Sequence, residues 1–415
     1  MWSGYLARMP NVRIHRSALV VAPPVAIRAR IPPVAYLLTG AVAVIGSNSL
    51  VLSPIAPAVA ASLSTSVSAV MNAAAAFGLG TAASALFLGR HIDRIGARRM
   101  LQIALAALAA ALALCAAAPS VQWLIAGQLL AGLASGVALP SIYTLAATVA
   151  PRGREGETIG VVLTGWTLSM VAGVSLSAVL ADAVNWRAVH ALVAALALAA
   201  AAALALAGSA AADRRRAGPA PSPLAALAIP GVRPLLLACG VFMIGFYGTY
   251  GYLGEHLHVG LGRPVSAGGL AALAYGVGFG AAAFLDRAID RFGARRALPA
   301  AFVAVAATNA SLAAASASYA ALLAIVVVWG LFNHLALNAL VMRLGAIDPA
   351  RRGAIMGLNS AVTYLAVFAG TIAFGRIDAA LGFAALPATA AALMLVAAWT
   401  ARAAGSQRRA ARPRG

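Results

Sequence analysis

The sequence contains no lysine. All thirty basic residues are arginine, only ten residues are acidic, and charged residues make up 10% of the chain. The missing lysine excludes chemistry that needs a primary amine: neither a phosphate-binding loop of the G-x-x-x-x-G-K-[ST] type nor a Schiff base to retinal or pyridoxal can be built. The chain is therefore not itself an ATP-driven pump of that loop class. Cysteine is nearly absent as well. Cys115 and Cys239 lie far apart inside apolar runs, without the C-x-x-C spacing of a metal or redox centre, and read as small core residues. There is also no G-x-S-x-G, no H-E-x-x-H and no pair of carboxylates within one apolar run. That argues against an enzyme, and no cofactor or metal is expected.

What is present is apolar: hydrophobic residues are 62% of the chain, and the mean hydropathy is +0.91. Such a balance belongs in a membrane rather than in a soluble domain. A formal net charge of +20 raises the question of nucleic acid, but the arginines sit in short loops and at both ends, between apolar stretches, where the positive-inside rule puts them. A nucleic-acid partner is not expected; the lipid bilayer is.

Apolar runs long enough to cross about 30 Å of hydrocarbon as helices, at a rise of about 1.5 Å per residue, fall near 34–60, 66–89, 100–118, 121–149, 157–181 and 188–208, then near 234–257, 265–285, 297–316, 319–345, 353–375 and 379–401. The expected organisation is an N-terminal tail over 1–33, a first six-helix bundle over 34–208, a linker over 209–233, a second bundle over 234–403 and a basic tail over 404–415. Residues 1–33 carry five arginines and no acid, and Pro23-Pro24 and Pro32-Pro33 interrupt any helix, so a cytoplasmic tail is expected there rather than a signal peptide. Loops holding Arg90–Arg99, Arg152 and Arg154, Arg214–Arg216, Arg287–Arg296, and Arg351 and Arg352 alternate with loops that are short or nearly uncharged. The arginine-rich set is expected on the cytoplasmic side of a cell (inner) membrane, with both termini inside. Arg187, Arg263 and Arg376 are exceptions, each near Asp182, Glu255 or Asp378 in sequence.

The halves repeat. Ile92–Arg99 and Ile289–Arg296 agree at seven of eight positions with an offset of 197, and Arg154, Gly156 and Gly160 each recur 197 positions later. An internal repeat of this kind constrains the fold before any local reading. The island Gly89-x-x-x-Asp93-Arg94-x-Gly96-x-Arg98-Arg99, between the second and third spans, resembles the signature loop of the major facilitator superfamily. Its echo Asp290-Arg291-x-Gly293-x-Arg295-Arg296 stands between the eighth and ninth, where that superfamily also has one. The resemblance covers nearly the whole chain. It implies an all-α membrane protein, twelve transmembrane helices in two pseudo-symmetric six-helix bundles, working as a secondary active transporter by alternating access.

Gly173-Val174-Ser175-Leu176-Ser177 and Asn185-Trp186-Arg187 further resemble the drug and sugar efflux branch. That implies export of a small organic solute by an antiporter. Two departures bear on proton coupling: Gln128 stands where that branch usually has arginine in the fourth span, and Ser175 where it has proline in the fifth. Asp286 stands where Gly89 does, so the two loops differ there.

In the superfamily the signature aspartate latches the cytoplasmic side across the two halves; the resemblance carries that gating role to Asp93 and Arg94, and by pseudo-symmetry to Asp290 and Arg291. A carboxylate so placed can cap a helix N-terminus and pair with a guanidinium. Gly96 and Gly293 suit turns with positive φ.

Ionisable groups inside apolar spans point to function. His334, with Asn333 beside it and Asn338 one turn on, reads either as a substrate- or proton-binding face or as a helix-to-helix hydrogen bond. Glu255, beside His256 and His258 at the outer end of the seventh span, reads as a solvated mouth or a proton site. Tyr143, Trp166, Tyr247, Tyr250 and Tyr364, with Asn48, could line a midplane cavity between the halves. With almost no embedded charge, this set suits a neutral or amphipathic solute; each residue alone is more often packing than ligand. Proton-coupled uptake and a non-transporting receptor on the same fold are the alternatives, and one chain suffices to form the cavity as a monomer.

Overall fold

The computed structural model describes residues 31–88, 91–151, 154–207, 223–285, 291–348 and 351–410, and only the backbone of Asp93, Glu155, Gly156, Pro223 and 404–410. Gly89, Asp290, the expected tail up to residue 30 and much of the linker lie outside that set, as does the Asp93 side chain.

Among the described residues, twelve helices are long and apolar enough to cross a membrane. In chain order they are α1 (Pro33–Ser62), α2 (Val67–Phe87), α3 (Ala97–Ala116), α4 (Val121–Val149), α5 (Glu155–Leu168, continued through a π-turn at Ser169–Val174 into Ser175–Ala183), α6 (Trp186–Leu206), α7 (Val232–Glu255, ending in a π-turn at His256–Gly260), α8 (Ser266–Ala281), α9 (Ala294–Ala314), α10 (Tyr319–Gly345), α11 (Arg352–Leu381) and α12 (Ala385–Ala410). Helix is the only way for a backbone to cross lipid with its polar groups satisfied, short of a closed barrel.

Three boundaries differ from the sequence pattern. α11 continues to Leu381, so Arg376 and Asp378 are helical; the stop is Gly382, whose φ of +75° a side chain would disfavour. α12 accordingly starts at Ala385 and runs through the first part of the expected tail. In the linker, Pro223–Ala228 form a 3₁₀ helix that leads into α7.

Small residues set the helix spacing, as expected where lipid removes the hydrophobic drive between helices. A Cβ on Gly80 of α2 would stand 2.4 Å from the Leu129 carbonyl oxygen of α4, and one on Gly132 of α4 would stand 2.2 Å from that of Phe77. The second bundle repeats both close approaches 198 positions on: a Cβ added to Gly278 of α8 would meet the Val327 oxygen, and one added to Gly330 of α10 would meet that of Tyr275. The pseudo-symmetry is thus a repeat of backbone contacts as well as of loops.

The bundles meet through α1 and α7, α2 and α11, and α5 and α8. Ser53 of α1 donates to the Tyr250 carbonyl of α7. Gly254 approaches Ser53, Gly78 approaches Tyr364, and Gly269 approaches Ser175, each against a carbonyl oxygen. The Ser266 amide donates to Asp182 at 3.1 Å, tying α8 to α5 at the end remote from the arginine loops. At the arginine-loop end of α2, Phe87 is 67% exposed, and in the 3₁₀ turn that follows α8, Phe284 is 87% exposed.

Candidate functional site

The arginine loops turn where the repeat says. Gly96 caps α3 with φ +94° and Gly293 caps α9 with φ +77°, both in the region that favours glycine. Arg98 donates to the Leu204 carbonyl at the end of α6, satisfying a helix C-terminus. Arg94, Arg99, Arg291, Arg295 and Arg296 are exposed.

Between the two bundles, polar aromatic side chains face each other. The Trp166 indole of α5 donates to the Tyr143 hydroxyl of α4 at 3.3 Å. Tyr364 of α11 lies within electrostatic reach of Tyr143 and of Tyr247 on α7, and Phe77 of α2 meets its ring edge-on at 6.2 Å. The Tyr247 hydroxyl faces Ser49 of α1. Four of the sequence-selected residues therefore converge: Tyr143, Trp166, Tyr247 and Tyr364.

The others are elsewhere. Tyr250 sits in an aromatic cluster within the second bundle, beside Phe246, Tyr275 and Trp329. Asn333 joins that cluster by donating to the Tyr275 hydroxyl at 3.1 Å. His334 points its ring edge-on to Phe279, centroids 4.8 Å apart. Glu255 is half-buried at the far end of α7, where it feels the Asp378 carboxylate of α11. Beside it, His256 bonds the Ser316 carbonyl at 2.7 Å and stacks on Phe383.

Asn48 is engaged inside the first bundle. It exchanges two hydrogen bonds with Gln128, at 3.0 and 3.1 Å, and Gln128 also reaches His190 of α6 at 3.4 Å. The other imidazole nitrogen of His190 faces the Trp186 carbonyl at 3.3 Å. A neutral imidazole with Nδ1–H donating to that carbonyl leaves Nε2 to accept from Gln128, which closes the network without a charge. The position usually held by arginine in the efflux branch thus carries a satisfied neutral triad joining α1, α4 and α6.

Ser175, standing where that branch has proline, donates its hydroxyl to the Met170 carbonyl five residues back, at 2.8 Å across the π-turn. Sequence reasoning missed His190, Ser49, Phe246, Trp329 and Asp378 as site members. His190 had a signal, an imidazole one turn after Trp186 in an otherwise apolar span. The aromatic residues had none, because packing residues have the same composition.

The sequence pattern of the Major Facilitator Superfamily matches residues 37–371. The chain belongs to this superfamily. The transporter is 29% identical over 368 residues to the uncharacterized MFS-type transporter YwfA of Bacillus subtilis (strain 168), covering 87% of this chain and 89% of that one. It is 31% identical over 159 residues to a chloramphenicol resistance protein of Streptomyces lividans, covering 38% of this chain and 41% of the other. In structure it is similar to a bacterial homolog of the human lysosomal transporter Spinster, in its inward-facing and unoccupied conformation. The TM-score is 0.72 at 16% identity, over 90% of this chain and 96% of that one. The fold is therefore that of the superfamily, and the chain is a multi-pass membrane transporter.

Proposed function

We propose that the transporter works by alternating access and exports a small neutral or amphipathic organic solute, of the drug or sugar efflux type, across the cell membrane, with both termini in the cytoplasm. The observation that carries this reading is the midplane wall. Tyr143, Trp166, Tyr247 and Tyr364 come from both bundles, and the polar groups near them include one another, Ser49 and Cys239, none of them charged. A charged solute would meet no counter-charge on that wall, whereas hydroxyl and indole groups suit a neutral one. The partial likeness to a chloramphenicol resistance protein supports a drug-type solute.

The packed far side, from Gly78–Tyr364 to Ser266–Asp182, supports a state closed to the outside. In this reading the loop of Gly89, Asp93, Arg94, Gly96, Arg98 and Arg99, with its echo at Asp290, Arg291, Gly293, Arg295 and Arg296, forms the cytoplasmic gate and closes in the alternate state. Protons are the coupling ion. Glu255 carries them, since it is half-buried and senses Asp378; His334, against Phe279, is the second candidate. One chain supplies both walls, so a monomer suffices.

The test uses inverted membrane vesicles from a host stripped of its own exporters. Labelled chloramphenicol and a neutral sugar are offered with and without an imposed pH gradient. Gradient-dependent accumulation of either is the expected result; saturable transport of a dicarboxylate or phosphorylated solute in its place would overturn the proposal.

A further inference from the structure

Beside the midplane wall, the second bundle holds an aromatic box with two buried polar atoms that the protein itself leaves unpaired. Phe246 lies at its centre, its ring 4.9 Å from Tyr247, 5.5 Å from Tyr250, 5.4 Å from Tyr275 and 5.5 Å from Trp329. Tyr275 and Trp329 meet edge-on at 5.3 Å, and Phe279 stacks on the outer side of Tyr275. The box draws on α7, α8 and α10, and its Tyr247 corner opens on the wall where Ser49 and Tyr364 stand.

Trp329 is 1% exposed and Asn333 2% exposed, yet among the described residues the Trp329 indole N–H and the Asn333 carbonyl oxygen have no hydrogen-bond partner. They are one turn apart on α10 and so on one face. Both flank Tyr275: Asn333 spends its amide N–H on the Tyr275 hydroxyl, and Trp329 packs against its ring. A buried donor and a buried acceptor left unpaired are unfavourable, and more so in lipid, so each calls for a partner that the chain does not supply. The rings around them form flat faces that stack with another ring.

We propose that this box is a recognition site for a planar aromatic solute bearing a neutral group that both donates and accepts a hydrogen bond, such as a carboxamide. The solute ring takes the place of Phe246 among Tyr250, Tyr275 and Trp329; the Trp329 N–H donates to the carbonyl of the solute, and the Asn333 oxygen accepts from its N–H. The inference rests on the export of a neutral solute through the adjoining wall and names its chemical class.

The experiment measures binding to the full chain in lipid nanodiscs by calorimetry. The probes are 2-naphthamide, 2-methylnaphthalene, which keeps the ring and lacks the amide, and cyclohexanecarboxamide, which keeps the amide and lacks the aromatic ring. 2-Naphthamide is expected to bind at least about tenfold tighter than either analogue, because only it fills both needs. Trp329→Phe, which keeps a ring and removes the N–H, and Asn333→Leu should each bring 2-naphthamide to within about threefold of 2-methylnaphthalene measured on the same variant. The ratio within each variant is its own control, since a misfolded variant loses both ligands, and Tyr275→Phe supplies a third variant that keeps every ring. Equal binding of the three probes to the wild type, or an undiminished amide preference in both variants, would overturn the proposal. Should that occur while vesicles still accumulate a neutral solute, the export reading stands and the box alone fails. Should accumulation fail too, the reading of the wall falls with it.

Discussion

Substituting Gly254 by alanine separates conformational balance from stability. The added Cβ would lie 2.4 Å from the Ser53 carbonyl oxygen and 2.9 Å from the Pro54 Cα, both backbone atoms of α1 in the opposite bundle. That is about 1 Å inside ordinary van der Waals contact, and no side-chain rotation relieves it. Overpacking of this kind costs about 1–3 kcal/mol. Here the penalty falls on the state in which α7 closes on α1 and is relieved when the far ends part, so the equilibrium should move by about 5- to 150-fold toward the far-side-open state. Spin labels at Ala61→Cys and Val259→Cys report it by double electron–electron resonance; the native Cys115 and Cys239 are buried. The control is Gly278→Ala, whose Cβ would meet the Val327 oxygen at 1.8 Å within one bundle. That variant should lose thermal stability and leave the label distance as it was. If Gly254→Ala lowers the melting temperature like Gly278→Ala but leaves the distance distribution unmoved, the far-side contact is not the moving one.

Three further outcomes are expected. Gln128→Leu should destabilise the protein by about 2–4 kcal/mol, because it strands Asn48 and the acceptor nitrogen of His190 in the first bundle; thermal unfolding in detergent checks it, and a loss below about 0.5 kcal/mol would show the triad to be slack. Glu255→Gln should abolish substrate-driven proton movement into proteoliposomes carrying a pH-sensitive dye while His334→Ala retains it; the reverse pattern would move coupling to α10. Arg187→Ala should cost about 1–2 kcal/mol, since that guanidinium bonds Ser62 and the Ala118 carbonyl and covers the Trp186 ring at 4.4 Å. Arg187→Lys should recover only part of this, because a point charge cannot span the same partners.

The two glycine turns show what a repeat makes legible. Gly96 and Gly293 recur in the same octapeptide and both adopt positive φ, since the backbone of that turn is fixed by residues close in sequence. The twelfth span shows the limit. Hydropathy starts it near residue 379, yet Asp378 and Arg376 extend α11 and the break waits for Gly382. Apolar runs blur into one another, whereas a left-handed glycine ends a helix at one residue.

Among the candidate residues, Asn48 and Tyr247 have similar standing in the sequence as polar groups in apolar spans. Rotation of each helix separates them, turning Asn48 to Gln128 inside a bundle and Tyr247 to Ser49 of the other bundle.

Composition, arginine placement and the 197-residue repeat determine by themselves a membrane protein of two matched halves, because hydropathy and charge act on each segment locally and need no partner. The tertiary structure alone decides the rest: that Gln128 is quenched by Asn48 and His190, that Tyr143 and Tyr364 come within electrostatic reach across the halves, and that Trp329 and Asn333 keep a donor and an acceptor unspent. Those pairings depend on the angular setting of helices distant in sequence, fixed by contacts such as Gly80 against Leu129 and Gly330 against Tyr275, which no single span encodes.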